Sequence, residues 1–259
     1  MDLTHARHAF ITGGASGIGL GIAGALAKHG IAVSLADIDK PALDAVLAEH
    51  GQGFGAHVLD TRDRAGWQAA KHSAEAAFGP VDILVNNAGI APDGREFADM
   101  DPASFDRIVA INLFGVFNGV STFAADLRAR RHGHIVNTSS MAGLTTGFPG
   151  MGAYSVAKFG VVAMSEVLRK EMAPHGVGVS VLCPGLVATN LPQTTLKLGG
   201  SVRDPNATMG STAVTAAMVG EMVAKGIAED QAYIITHPET WPRVEERTNT
   251  LRDAYKAAG

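Results

Sequence analysis

Short runs of successive apolar residues alternate along the chain with longer segments in which apolar positions recur every three or four residues. The runs at 8–13, 32–37, 55–60, 82–89, 134–140, 178–185 and 232–237 are rich in β-branched and aliphatic side chains and predict strands. Ile83-Leu84-Val85 and Val179-Ser180-Val181-Leu182 lack the strict polar alternation of a half-exposed strand, as expected of parallel strands covered on both faces. The intervals predict helices at 17–29, 41–50, 64–78, 102–130, 152–174, 211–228 and 242–258. This repeating βα order predicts an α/β fold: a doubly wound, Rossmann-type parallel sheet of about seven strands with helices on both faces.

No linker, composition change or internal repeat divides the 259 residues, so one domain over 1–259 is expected. The stretch 189–210 stands apart, with Pro192, Gly199, Gly200, Pro205 and Gly210 and no clean period. It reads as a long loop with short helical pieces, either a lid over a substrate or a plain surface connection. It follows Pro184-Gly185 at the C-terminal end of a strand, where ligands bind in such sheets.

Composition narrows the function. A hydrophobic fraction of 46% with 31 glycines suits a compact protein with many tight turns, and a formal charge of −4 gives no electrostatic footprint for nucleic acid. Arg128, Arg130 and Arg131 read as a helix C-terminus favoured by the macrodipole. The lone Cys183 cannot form an internal disulfide and reads as a small buried hydrophobe. No apolar run approaches a membrane span, so no membrane association is expected and a reducing cytoplasm is the expected location. His5 with His8, and His132 with His134, lack the acidic or thiol companions of a metal site, so no metal is expected.

Three constellations carry chemistry. Thr12-Gly13-Gly14-Ala15-Ser16-Gly17-Ile18-Gly19 follows the first strand and opens the first helix. Glycines there permit close approach of a pyrophosphate, and the helix N-terminus offers N–H groups; the bland alternative is a tight strand-to-helix connection. Asp37 ends the second strand, where a carboxylate accepts bonds from ribose hydroxyls and repels a 2′-phosphate, which favours NAD over NADP. Its alternative is a helix cap, for which Asp39 before Lys40-Pro41 is better placed. Tyr154 and Lys158 stand one helical turn apart on one face. A free tyrosine loses its proton near pH ~10, so a tyrosine base needs a fixed cation beside it to lower that value.

Gly13–Gly19, Asn86-Asn87-Ala88-Gly89 and Tyr154–Lys158, in this order, resemble the classical short-chain dehydrogenase/reductase family across nearly the whole chain. The resemblance implies a nicotinamide cofactor and a Ser-Tyr-Lys-Asn active site. By position, Tyr154 corresponds to the acid/base, Lys158 to the residue that binds nicotinamide ribose and lowers the tyrosine pKa, and Ser140 to the partner of the substrate oxygen. Asn112 corresponds to an asparagine whose backbone holds a water in a proton relay. The same carry-over places Gly13, Ser16, Gly17, Ile18, Gly19, Asp37, Asp60, Thr61, Asn86, Ala88, Gly89, Tyr154, Lys158, Pro184, Gly185, Val187 and Thr189 at the cofactor, with Asn86–Gly89 alternatively serving only the central sheet. The segment from Ser140 to Tyr154 is one residue longer than the commonest family spacing. Either the loop 144–152 bulges or Ser139 shares the serine role. Adjacent strand residues face opposite ways, and Ser140 lies nearer the ligand-binding end.

Met141, Leu144, Phe148, Met151, Leu186, Val187, Leu191 and Ala91 are expected around the catalytic group. With no arginine or lysine among them, a neutral secondary alcohol or ketone is the expected substrate. The tail 232–239 resembles bacterial members acting on aryl or alicyclic alcohols. The final helix is expected to pack on the core or on a subunit, and the family resemblance implies a homotetramer or homodimer. An enoyl reductase or dehydratase-like relative and a non-catalytic NAD-binding sensor are the competing readings; both generally lack part of the Ser140, Tyr154, Lys158 and Asn112 set, which this chain keeps.

Overall fold

The computed structural model describes residues 1–146, 148–202 and 214–259. Positions 203–210 of the expected lid and 211–213 of the expected helix lie outside the described residues. Seven parallel strands form one sheet: β1 (His8–Thr12), β2 (Ala32–Asp37), β3 (Phe54–Val58), β4 (Ile83–Asn86), β5 (Gly133–Thr138), β6 (Val177–Cys183) and β7 (Tyr233–Ile235), in the order β3-β2-β1-β4-β5-β6-β7. The order reverses between β1 and β4, which opens a crevice at the carboxyl ends of the strands. Thr12 pairs with Ala36, Asn86 with Asn137, Thr138 with Leu182 and Cys183 with Ile235, so the strands end level with one another.

Several strands are shorter than the apolar pattern predicts. β3 stops at Val58, β4 at Asn86, β5 at Thr138 and β6 at Cys183. Asp60, Ala88-Gly89, Ser139-Ser140 and Pro184-Gly185 therefore lie in loops beyond the ladder, all at the crevice edge. Their backbone has left the sheet to form that edge.

The helices are α1 (Gly17–Ala27), α2 (Lys40–His50), α3 (Arg64–Phe78), α4 (Pro102–Val109), α5 (Gly115–Arg130), α6 (Gly152–Met172), α7 (Leu191–Lys197), α8 (Ala216–Ala228) and α9 (Trp241–Ala258). Aspartates set three of their starts. Asp39 accepts the Ala42 N–H at 3.2 Å, Asp63 that of Ala65 at 2.9 Å and Asp101 that of Ala103 at 3.0 Å. The cap of α2 is thus Asp39, which leaves Asp37 for the crevice. The single helix expected at 102–130 contains a π turn, Ala110–Phe114, between α4 and α5.

One face of the sheet is covered by α1 and α8, whose Ile22, Leu26, Val219 and Val223 pack on Val33, Leu35 and Val85. On the other face, Trp67, Phe123 and Leu168 from α3, α5 and α6 pack on Phe10, Leu84 and Ile135. Phe10 and Phe123 sit 5.1 Å apart, ring centre to ring centre. Burying these side chains contributes about 1.5–3 kcal/mol each. The continuous run Pro102–Arg130 has the length and apolar character of a membrane span, contrary to the sequence expectation, yet 56% of its most apolar stretch is buried inside the protein. It serves as the core helix of this face.

Candidate active site

The loops at the crevice edge enclose a cleft of about 1360 Å³. Its first wall is the turn from β1 into α1. Gly13 has φ +63°, and a Cβ there would lie 3.0 Å from the Ala88 Cα; a Cβ on Gly19 would collide with the Gly13 carbonyl. These glycines let β1, α1 and the exit of β4 approach as backbones. Ser16 heads α1 without a side-chain cap bond, so the helix N-terminus presents its N–H groups and dipole to the cleft at Ser16, Gly17 and Ile18. This cradle suits a pyrophosphate. Thr189 lies against Gly17 on the opposite side.

Asp37 lines the cleft beside the turn, its Oδ2 accepting the Ala15 N–H and its Oδ1 the Asp39 N–H, both at 3.1 Å. Asp60, Thr61, Ala88, Gly89, Pro184, Gly185 and Val187 also line it, as carried over from the motifs. Thr12 ties the β4 exit to β1 by accepting the N–H groups of Asn87 at 3.0 Å and Ala88 at 3.1 Å.

Asn86 departs from expectation. Still within β4, it turns into the sheet interior, is 1% exposed and donates to Asn137 Oδ1 at 2.9 Å. Asn87, one residue on, lines the cleft instead. Strand alternation is the reason, since only one of two neighbours faces the crevice. Gly19 also serves packing rather than the cleft wall.

Ser140, Tyr154 and Lys158 meet at the middle of the cleft. The Ser140 hydroxyl stands beside Tyr154 on the cleft wall, and its oxygen accepts the Ala142 N–H at 3.1 Å. Ser139 instead donates to the Lys158 carbonyl at 2.8 Å, fastening the loop to α6. The two serines thus divide their tasks, and Ser140 is the one beside Tyr154. The Lys158 ammonium donates to the Thr138 carbonyl at 2.9 Å and stands 5.5 Å from the centre of the Tyr154 ring.

The electrostatics correct one expectation. Burial pushes the Tyr154 hydroxyl above its ordinary value, opposed by the neighbouring Ser140 hydroxyl, so the protein alone favours the phenol. Burial also brings the Lys158 ammonium down to about 8, opposed by Cys183. The Cys183 thiol is itself pushed up to about 12 by burial. The cation beside Tyr154 is thus weakened by the same desolvation that disfavours the phenolate.

Asn112, fully buried in the π turn, accepts the Ile90 N–H at 2.8 Å and donates to the Ile90 carbonyl at 2.9 Å. A Cβ on Gly89 would meet the Asn112 Oδ1 at 2.9 Å and the Lys158 ammonium at 3.7 Å. Asn112 therefore holds the chain leaving β4 and does not itself line the cleft.

Met141, Phe148, Met151, Leu186, Val187, Leu191 and Ala91 line the cleft as expected. Leu144 does not; it packs with Val116 and Val161. The sequence reading missed Asn87, Arg62, His237 and Arg243, all on the wall. For the last two a signal was available: the predicted strand at 232–237 ends at the same edge as Pro184, so the chain leaving that strand reaches the crevice. Among the described residues no His, Cys, Asp and Glu cluster forms a metal site.

A family model described as short chain dehydrogenase matches residues 7–197. The chain belongs to this family. Among curated members, a "C alpha-dehydrogenase" from a Sphingobium species is 33% identical, over 95% of this chain and 85% of the relative. The "Probable oxidoreductase EphD" of Mycobacterium tuberculosis is 39% identical over 71% of this chain, and the match spans only 32% of that longer relative. Among solved members, a short chain dehydrogenase/reductase from Burkholderia phymatum in complex with NAD superposes with a TM-score of 0.88 at 30% identity, covering 97% of this chain and 96% of its own. The seven-stranded parallel sheet is the family's Rossmann fold.

Proposed function

We propose that the protein transfers a hydride between NAD(H) and a secondary alcohol or its ketone, using Ser140, Tyr154, Lys158 and Asn112. The observation that carries this reading is the convergence of Ser140, Tyr154 and Lys158 on one cleft, with the Lys158 ammonium 5.5 Å from the centre of the Tyr154 ring. Asp37 supports NAD over NADP, because a 2′-phosphate beside it would meet a like charge. Arg62, the nearby cation on that wall, is engaged by Asp60 at 2.6 Å. The uncapped turn of α1 and Thr189 opposite it would hold the dinucleotide, and bound NAD supplies the hydride chemistry.

Tyr154 takes the hydroxyl proton of the alcohol in oxidation and returns it in reduction. Ser140 fixes the reacting oxygen against Tyr154, so that proton transfer and hydride transfer converge on one carbon. Lys158 favours the phenolate, and Asn112 sets the backbone beneath Lys158. Because burial favours the phenol, oxidation should rise with pH in the alkaline range.

The residues 189–202, with α7, form a lid over the cleft. The expectation of a neutral substrate rested on a wall without cations, and Arg243 removes that ground. What remains is an apolar body around the reacting carbon. Phe117, Val156 and Val167, exposed on α5 and α6, support assembly as a homotetramer or homodimer, which light scattering of the purified protein would read.

The test follows NADH absorbance with alicyclic and aryl secondary alcohols, using wild type, Tyr154→Phe, Ser140→Ala and Ser139→Ala. Turnover should fall by a factor on the order of 10²–10⁴ in Tyr154→Phe and Ser140→Ala, and far less in Ser139→Ala. A Tyr154→Phe variant with near-normal turnover would remove the mechanism.

A further inference from the structure

Among the described residues that line the cleft, Arg62, Lys158 and Arg243 carry a side-chain cation. Arg62 is bound by both carboxylate oxygens of Asp60, and Lys158 by the Thr138 carbonyl. Arg243 has no hydrogen bond or ion pair among the described residues. Its guanidinium lies 4.8 Å from the centre of the Phe148 ring, and both side chains line the cleft that holds Ser140 and Tyr154. Glu239, one helical turn earlier and on the same wall, does not pair with it.

The placement of Arg243 is built into the fold. The Gly185 N–H, in the loop after β6, is bonded to Thr236 Oγ1 at 3.1 Å and to His237 Nδ1 at 3.2 Å. Thr240 donates to the Met141 sulfur at 3.5 Å, and Val244 packs in the cluster that contains Met141 and Cys183. The segment 236–244 is thereby joined to the loops after β5 and β6, the two that carry Ser140 and Gly185. A guanidinium stacked on a ring keeps its in-plane N–H groups for a planar acceptor. Met141, Met151 and Leu186 supply apolar wall nearby.

We propose that Arg243 is a specificity-determining residue that binds a carboxylate on the substrate. The substrate is then an alcohol or ketone whose reacting carbon sits at Tyr154 and whose aryl or alicyclic body carries an acid group toward Arg243 over Phe148. The inference rests on the reading of Ser140 and Tyr154 as the reaction centre.

The experiment compares para-acetylbenzoate with para-nitroacetophenone, isosteric ketones with and without the net charge. Calorimetry measures their binding to the protein alone and with NAD, where no reduction can occur, in wild type, Arg243→Leu and Arg243→Lys. Wild type should bind the acid about tenfold or more tightly than the neutral ketone; the ratio should fall to near unity in Arg243→Leu and be partly kept in Arg243→Lys. Equal affinities in wild type, a preference that survives Arg243→Leu, or no binding of either ketone would overturn the assignment. Steady-state reduction with NADH separates the two readings. Turnover of both ketones without preference overturns the role of Arg243 and leaves the dehydrogenase reading, whereas a binding preference without reduction of any ketone does the reverse.

Discussion

Thr195 in α7 accepts the N–H of Ala91, beyond the end of β4, at 2.8 Å and donates to the Leu191 carbonyl at 2.7 Å. This buried hydroxyl joins α7 to the chain that Asn112 holds. Lys197 adds an exposed pair to Asp39 at 2.6 Å, and Leu198 packs on the cluster of Ile90 and Tyr154. Helix α7 and the residue after it therefore reach both Asp39, two residues from Asp37, and the cluster that contains Tyr154.

Thr195→Val should remove the acceptor and leave the Ala91 N–H buried without a partner, a loss of about 1–3 kcal/mol. The melting temperature should drop by about 2–4 °C per kcal/mol, and hydrogen exchange at the Ala91 amide should accelerate. Lys197→Ala, which breaks an exposed pair, should cost about 0–1 kcal/mol. Unchanged exchange at Ala91 in Thr195→Val would mean that the helix is held by its apolar contacts alone.

Asp37→Ser should raise kcat/KM for NADP relative to NAD by about ten- to a hundredfold, since one unit charge beside a 2′-phosphate is worth about 1–4 kcal/mol at a partly solvated site. Steady-state kinetics with both cofactors read the ratio. Because Asp37 also accepts the Ala15 and Asp39 N–H groups, absolute rates should fall with both cofactors. A ratio that does not move would place the ribose contact elsewhere.

The parts of this molecule that were legible in the sequence are those dictated by local chemistry. Strands in the β2 and β6 runs follow from mostly apolar residues without strict polar alternation, the α2 start from Asp39-Lys40-Pro41, and the glycine turn from its place between strand and helix. What escaped depends on distance in the chain. Whether Asn86 or Asn87 faces the crevice turns on where β4 leaves the ladder, one residue decided by pairing with β5. Arg243 reaches the cleft only because segment 236–244 is tied to Met141 and Gly185, which no periodicity announces. The raised value of Tyr154 reflects burial, a property of the assembled core rather than of a Tyr and a Lys one turn apart.

His134 in β5 sets how the fold responds to acid. Its Nε2 is 2.8 Å from Ser180 Oγ, and that hydroxyl in turn donates to the Gln231 carbonyl, which assigns the imidazole proton to Nε2. Nδ1 has no partner and is pressed against Gly178, so protonation would bury an N–H with nothing to accept it. Burial accordingly holds His134 down to about 3, and lowers His8 and His57 as well. Below about pH 6.5 the unfolded chain takes up protons that the folded protein refuses, so stability should fall as pH drops from there toward 3, by up to about 1.4 kcal/mol per pH unit for each such histidine. Urea unfolding across this range in wild type and His134→Gln measures the share of one residue. The variant should start less stable at pH ~8, having lost a packed ring, and should then decline more gently on acidification. Equal slopes would show that His134 takes up its proton in the fold as it does in the unfolded chain, leaving His8, His57 and the carboxylates to drive the acid response.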